Sequence, residues 1–229
     1  MDFTEFEKKI EINFKNKGLL QQAFVHRSYI NENKGSGLNH NERLEFLGDA
    51  VLELVITNFL YKKYSEKAEG ELTAYRSALV NAETCANIAT KLGMGDYLLL
   101  SKGESKDTGR ARQYILANAL EALIGAIYLD QGYDSAKDFI EKNFTTLIEK
   151  IVSAKSFIDA KSLFQEKAQE FDGVTPSYKT MKETGPDHEK KFTVGVYIGK
   201  ELVAEGVGES KQDAEQSAAR SALQTRGWN

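Results

Sequence analysis

The sequence contains very little cysteine and proline, and it has no long apolar run. Cys85 is the only cysteine among 229 residues, which excludes an internal disulfide and is typical of proteins in a reducing compartment. No stretch approaches the roughly 18 consecutive apolar residues needed to cross a membrane, and the charged N-terminal segment is unlike a secretory signal. These absences predict a cytoplasmic protein that does not associate with membranes.

A large net charge is also absent, since 30 Lys and Arg stand against 34 Asp and Glu for a total of −4. Such a balance neither identifies a nucleic-acid-binding protein nor excludes one that has a local basic patch. Residues 1–150 contain no proline and follow the helical period, whereas later segments alternate as strands do. Length and this change of period predict an all-helical domain over 1–151, a linker over 152–157 and an α-β-β-β-α domain over 158–227.

One stretch near the start of the chain predicts a helix with acidic side chains along one face. Its apolar residues recur at three- and four-residue steps, the period of a helix with one buried face: Leu44, Leu47, Val51, Leu54 and Val55. Glu42, Glu45 and Asp49 have the same spacing and therefore share a face. Clustered carboxylates beside a core are typical ligands of Mg²⁺. A solvated acidic face is the alternative that this helix alone leaves open.

A second predicted helix, over residues 114–130, is apolar nearly all round, which indicates a position in a core or a subunit interface. Asn118 and Glu121 are its only strongly polar side chains between Tyr114 and Tyr128. An ionised carboxylate among apolar neighbours needs a partner, commonly a cation. Glu121 is therefore a second candidate metal ligand.

Three further features carry charges whose role the sequence leaves open. The acidic cluster around Glu69 precedes a helix predicted over residues 72–92, and it is also consistent with a solvated loop. The loop 101–112 is rich in glycine and basic residues, so it either follows a phosphate backbone or is simply exposed. His26 and Arg27 either contact a phosphate or pack at a helix end.

The C-terminal domain has an uneven charge distribution. Acids outnumber bases by 12 to 10 between residues 156 and 229, which argues against nucleic-acid binding. Lysines nevertheless follow the turn 185–188, and Lys211 lies in the first turn of the last predicted helix, where free N–H groups attract phosphate. Double-stranded RNA is recognised mainly by shape, so these positions form a plausible set of contacts. A scatter of solvated lysines is the alternative.

With these residues in view, the chain resembles the bacterial ribonuclease III family from end to end. The most specific match is the acidic helix, NERLEFLGDAVL over residues 41–52. The supporting matches in the helical part are HRSY at 26–29, EGEL at 69–72 and EALIGA at 121–126. The later part resembles the double-stranded-RNA-binding domain, through GPDH at 185–188, Phe192, GVG at 206–208, and Ser210 with Lys211.

The resemblance implies a homodimeric nuclease that cleaves both strands of an RNA duplex with Mg²⁺, for which Mn²⁺ can substitute. Ribosomal RNA precursors and structured messengers are the implied targets, and DNA is not an expected substrate. Matched by motif position, the implied catalytic residues are Asp49 and Glu121, and the implied metal ligands are Glu45, Asp49, Asn118 and Glu121. Glu42 and Glu69 match auxiliary acidic positions. The implied RNA contacts are Gln165, Glu166, Pro186, His188, Lys190 and Lys211.

The sequence departs from the family pattern at three positions. Asn118 stands where the family has an aspartate, which removes one negative charge from the implied metal site and predicts weaker metal binding. Tyr114 replaces a small polar residue, and Gln212 stands where a second lysine often follows Lys211. A double-stranded-RNA-binding protein whose cleavage is impaired by Asn118 is therefore an alternative to the enzyme.

Overall fold

The computed structural model describes residues 2–154, 160–186 and 190–228. The chain divides into two compact units, residues 1–157 and residues 158–229. Over the described ranges, none of the helices combines the length and apolarity that a membrane span requires.

The first unit is built from helices, as the sequence predicts. Its helices are α1 Thr4–Ile10, α2 Lys17–Ala23, α3 Arg27–Glu32, α4 Glu42–Lys63, α5 Glu69–Leu79, α6 Ala82–Lys91, α7 Arg110–Gln131 and α8 Tyr133–Ala154. Short 3₁₀ turns at Met94–Tyr97 and Glu104–Lys106 lie between α6 and α7. The second of these turns lies within the loop that the sequence predicts over 101–112.

Helix α7 is the centre of this unit. It packs against α2, α4, α6 and α8, and its side chains Leu120, Leu123, Ile124 and Ile127 are fully buried. The near-continuous apolarity of this helix therefore reflects burial within its own unit. Its exposed large hydrophobic side chains, Tyr114 and Leu129, lie towards its two ends.

Several predicted boundaries differ in the structure. The single helix predicted over 72–92 is two helices, because the Asn81 side chain accepts a hydrogen bond from the Thr84 N–H at 2.9 Å and starts α6. Leu54 is exposed rather than buried, and Gly48 and Leu52 lie on the buried side of α4 in its place. Helix α8 includes residues 152–154 of the predicted linker, because neither glycine nor proline interrupts the chain there. Linker residues 155–157 lie outside the described residues.

The second unit has the predicted α-β-β-β-α order. It comprises α9 Ala160–Asp172, β1 Ser177–Thr184, β2 Lys191–Ile198, β3 Glu201–Gly208 and α10 Lys211–Arg226. The strands form an antiparallel sheet in the order β1-β2-β3. Phe164 of α9, Val196 of β2 and the alanines of α10 form the core between the helices and one face of the sheet.

Candidate active site

Helices α4 and α7 cross with their backbones in direct contact. A methyl group added at Gly48 would lie 1.7 Å from the carbonyl oxygen of Glu121, and one added at Gly125 would lie 2.2 Å from the carbonyl oxygen of Leu44. Real atoms cannot approach so closely, so both helices require glycine at this point. The crossing fixes Glu45 and Asp49, which flank Gly48 on α4, beside Glu121 on α7.

The electrostatics of the three carboxylates show that the crossing brings them together. Burial raises the pKa of Glu121 to about 7, and the negative charges of Asp49 and Glu45 add to this effect. Burial also raises the pKa of Glu45, with contributions from Glu42 and Asp49. The pKa of Asp49 is raised by burial and by Glu53. Two helices therefore hold mutually repelling acids at one place.

Asn118 joins this group through its amide. Its side chain donates a hydrogen bond to Glu45, which opposes the rise in the pKa of that carboxyl group. Because the NH₂ group of Asn118 makes this bond, its carbonyl oxygen is the atom left for a cation. In the folded protein without metal, this amide also avoids the fourth repelling charge that an aspartate at this position would add.

Glu42 lies at the end of the acidic stripe and faces an arginine and a histidine. Its carboxylate oxygens are 3.6 Å from Arg27 Nη1 and 3.7 Å from His40 Nδ1. Buried Asn41 holds the start of α4 against the segment between α2 and α3. Its backbone N–H donates to Val25 O at 2.9 Å and its side chain donates to Ala23 O at 3.1 Å.

His26 is the N-cap of α3, in the same segment between α2 and α3. Its ring Nδ1 is 2.8 Å from Ser28 Oγ and caps the helix by accepting from the Ser28 N–H. Burial lowers the pKa of His26. This arrangement favours the interpretation of His26 as a packed residue at a helix end, and leaves Arg27 as the cation that is exposed.

Glu69 lies in a different environment. It is the first residue of α5 and accepts a hydrogen bond from Thr73 Oγ1 at 3.1 Å. It lines a cavity of about 400 Å³ together with Thr57, Leu60, Tyr61, Lys67, Leu72, Thr73 and Arg76. The pKa shifts of Glu45, Asp49 and Glu121 include no contribution from Glu69.

The donor set at the crossing matches a hard divalent cation in chemistry. Three carboxylates and one amide oxygen are the ligands that Mg²⁺ accepts. The pKa values of the three carboxyl groups are raised by burial and further by neighbouring negative charge. Within the described ranges, no three His, Cys, Asp or Glu side chains are already arranged to hold one metal ion. The types of ligand and the positions of the two helices therefore suit a divalent cation. The side chains would have to rotate to bind one ion together.

The second unit exposes the residues predicted to contact RNA on its helices and at one end of its sheet. Gln165 and Glu166 are exposed on α9 and line a shallow groove with Ser162, Gln169 and Glu170. Pro186 is exposed after β1. Lys190 and Lys211 both lie near Glu183. The remaining predicted contact, His188, lies outside the described residues.

Comparison with known proteins decides the family. A family model described as ribonuclease-III-like matches residues 16–148, and one described as the double-stranded RNA binding motif matches residues 160–226. Ribonuclease 3 of Borreliella burgdorferi is 46% identical over 96% of this chain and 89% of its own length. The chain belongs to the ribonuclease III family. The ribonuclease 3 of Natranaerobius thermophilus is 47% identical over 97% of this chain and 96% of its own length.

A solved structure supports the same assignment for the helical unit of this ribonuclease III family member. The nuclease domain of ribonuclease III from Campylobacter jejuni aligns with a TM-score of 0.56 and 44% identity, covering 63% of this chain and 99% of that domain. The predicted fold class, helical nuclease domain followed by α-β-β-β-α domain, is confirmed by the elements and by these matches.

The acidic and apolar patterns of this ribonuclease III family member do not reveal the role of its two crossing glycines. A glycine inside a helix costs roughly 1 kcal/mol relative to alanine, so a mid-helix glycine signals a close approach. Gly48 and Gly125 both carry that signal, and either could have been identified from it. The contact of Glu42 with Arg27 carried no such signal, because Arg27 is 15 positions away in the sequence.

Proposed function

We propose that this protein is an endoribonuclease that hydrolyses double-stranded RNA with Mg²⁺ and leaves staggered ends with 5′-phosphate and 3′-hydroxyl groups. The observation that carries the proposal is the convergence of Glu45, Asp49 and Glu121 at the α4–α7 crossing. The name shared by the relatives, ribonuclease 3, and the matched double-stranded RNA binding motif support the reaction and the substrate. We infer a cytoplasmic role in processing ribosomal RNA precursors and messenger RNA.

The proposed metal ligands are Glu45, Asp49, Glu121 and the carbonyl oxygen of Asn118. A Mg²⁺ ion held by these residues would supply activation of the attacking water and charge stabilisation at the leaving 3′ oxygen, and Mn²⁺ would substitute because it accepts the same ligands. The contribution of the chain is to hold three carboxylates where they repel one another in the free protein. Glu42 and Glu69 remain auxiliary acids, and Glu42 acts through its contact with Arg27.

A cleavage assay on a perfect RNA duplex tests the proposal. With Mg²⁺, the RNA duplex should shorten to staggered products, and a DNA duplex of the same sequence should remain intact. With EDTA, the protein should bind the RNA without cutting it. Binding without cutting in the presence of Mg²⁺ would instead favour the alternative, a double-stranded-RNA-binding protein, to which the substitution of aspartate by Asn118 points.

Asn118→Asp should strengthen metal binding and destabilise the metal-free protein. The added carboxylate supplies a charged ligand, so the Mg²⁺ concentration for half-maximal cleavage should fall by about threefold or more. Without metal, the new charge faces Glu45 in place of an amide hydrogen bond, so Tm in EDTA should fall. Asn87→Asp, at an exposed position on α6, is the matched control and should change neither value. An unchanged metal requirement in the Asn118 variant would remove this residue from the site.

We infer that the nuclease unit forms a homodimer through a groove beside α4. Phe46 is 82% exposed and Leu129 is 53% exposed, which is unusual for large apolar side chains. They line this groove with Leu19, Gln22, Arg43, Leu44 and Leu47. A two-fold contact uses the same patch on both subunits, so Phe46 of each copy would enter the groove of the other. The similar Campylobacter jejuni nuclease domain is described as having a region involved in dimer formation.

Phe46→Asp should convert the dimer to a monomer, because it places a charge in the centre of the proposed contact. Sedimentation velocity at micromolar protein concentration measures the change. Tyr61→Asp provides the control, since Tyr61 is 71% exposed but lines a different cavity. If the Phe46 variant sediments as the unchanged protein does, this groove is not the dimer interface.

A further inference from the structure

One end of the sheet in the second unit brings an acidic side chain under the first turn of α10. Glu183 of β1 is paired in register with Phe192 of β2, which is paired in turn with Gly208 of β3. A methyl group at Gly208 would lie 2.4 Å from the backbone nitrogen of Ala214. Because glycine has no side chain, the first turn of α10 can rest directly on this row of residues.

The result is a carboxylate between two lysines. Glu183 Oε1 lies 3.2 Å from Lys211 Nζ, and Glu183 Oε2 lies 3.6 Å from Lys190 Nζ. Lys211 Nζ also lies 5.6 Å from the centre of the Phe192 ring. Both lysines belong to the set proposed to contact RNA, so the carboxylate faces the groups that a phosphate would use.

The charge of Glu183 serves a purpose in the free protein. Lys211 occupies the first turn of α10, where the helix dipole is positive and a cation is unfavourable. The hydrogen bond from Lys211 lowers the pKa of Glu183, and the charges of Lys211 and Lys190 lower it further. Glu183 is therefore ionised at neutral pH and compensates the crowded positive charge.

An RNA phosphate approaching Lys211 would meet the Glu183 carboxylate already next to that lysine. Phosphate gains from the lysine and from the free N–H groups at the helix N-terminus, but it is repelled by a carboxylate already on that lysine. We propose that Glu183 competes with RNA phosphate for Lys211 and Lys190, and that duplex binding displaces it. This inference rests on the proposed function, because it assumes that Lys211 contacts RNA.

The competition has a use in turnover. Contacts between this unit and the RNA backbone are the same before and after cleavage, so they bind substrate and product equally and do not accelerate the chemical step. Very tight contacts would slow product release. An internal carboxylate that weakens them keeps the lysines ordered while permitting release.

The test is the affinity of the full chain for an RNA duplex in EDTA, where cleavage does not occur. Glu183→Gln should bind about two- to fivefold more tightly, the size expected for removing one exposed ion pair. The gain should shrink as salt is raised, because exposed charges are screened. The same variant should have a lower Tm for the second unit, since Lys211 loses its compensating charge. Opposite changes in affinity and stability would not arise from a purely structural role.

Two comparisons make the test specific. Glu205→Gln makes the same charge change on β3, opposite Gly195, and should leave the affinity unchanged. When Lys211→Gln is already present, adding Glu183→Gln should produce little of the gain in RNA affinity that it produces alone. An equal gain in the Glu205 variant, or no gain in the Glu183 variant, would overturn the inference. If Lys211→Gln alone does not weaken binding, the proposed RNA contact fails instead.

Discussion

Replacing Glu121 by glutamine is expected to reduce RNA cleavage by at least about a hundredfold while leaving duplex binding nearly unchanged. Glutamine has the same shape but lacks the charge, so the proposed metal site loses one of its three carboxylates. The lysines proposed to contact RNA lie in the second unit, so this change does not touch them. Single-turnover cleavage at saturating Mg²⁺ and a binding titration in EDTA measure the two effects separately.

The same substitution should stabilise the protein at alkaline pH. The pKa of Glu121 is about 7 in the folded protein against an ordinary value of 4.5, so the folded state holds a proton that the unfolded chain has lost between these values. The contribution of Glu121 to stability is therefore lost as pH rises from 4.5 through 7, and it is constant once the folded-state carboxyl group is fully ionised. Glutamine does not ionise, so Tm of the variant in EDTA should exceed that of the unchanged protein by about 2–6 °C at pH 8. The two Tm values should converge near pH 4.5.

Glu83→Gln is the matched control, because Glu83 is exposed in the first turn of α6. It should change neither cleavage nor the pH dependence of Tm. A Glu121 variant that loses RNA binding and unfolds would show that the residue supports the fold rather than the reaction. A variant that cleaves normally would remove Glu121 from the active site.

Gly48→Ala should cost at least about 3 kcal/mol of folding free energy in the nuclease unit. The added methyl group would lie 1.7 Å from the Glu121 carbonyl oxygen and 2.8 Å from the Gly125 backbone nitrogen. Neither backbone atom can move without separating α4 from α7. Tm should therefore fall by about 10 °C, and cleavage should fall even at low temperature because Asp49 and Glu121 would be forced apart.

Gly70→Ala is the control for this prediction. No atom lies within 4 Å of a methyl group at Gly70, which is in the first turn of α5. Alanine favours helix over glycine, so Tm should be unchanged or slightly raised. Calorimetry on both variants, with the second unit as an internal reference, measures the difference. Equal Tm values would mean that the helices separate at little cost.

Much of the architecture follows from local patterns in the sequence. The alternation of β2, the turn at Gly199 and the serine before α10 predict the second unit closely, because strand period, turn glycine and helix cap are all local signals. The break between α5 and α6 is missed because the helical period continues through Asn81, which caps α6 in the structure. The buried face of α4 is misplaced at Leu54 because periodicity does not reveal which side the neighbouring helix occupies.

The candidate site is predicted in part for the same reason. Glu45 and Asp49 share a helix face, and Glu121 is a polar residue in an apolar helix, so the sequence identifies all three. What it does not identify are long-range pairings. The contact of Glu42 with Arg27 and the lysine pair around Glu183 depend on tertiary structure that no local spacing encodes. The position of Glu69 in a separate cavity is equally a matter of how α5 packs.

The glycine crossing makes the three acidic residues part of the same contact that packs α4 against α7 in the first unit. If that unit opens, α4 and α7 separate, and the acids that could cut RNA no longer face each other. A partly denatured copy is therefore inert rather than indiscriminate. Because the proposed cleavage activity acts among abundant transcripts, it matters that local unfolding abolishes cleavage instead of relaxing its specificity.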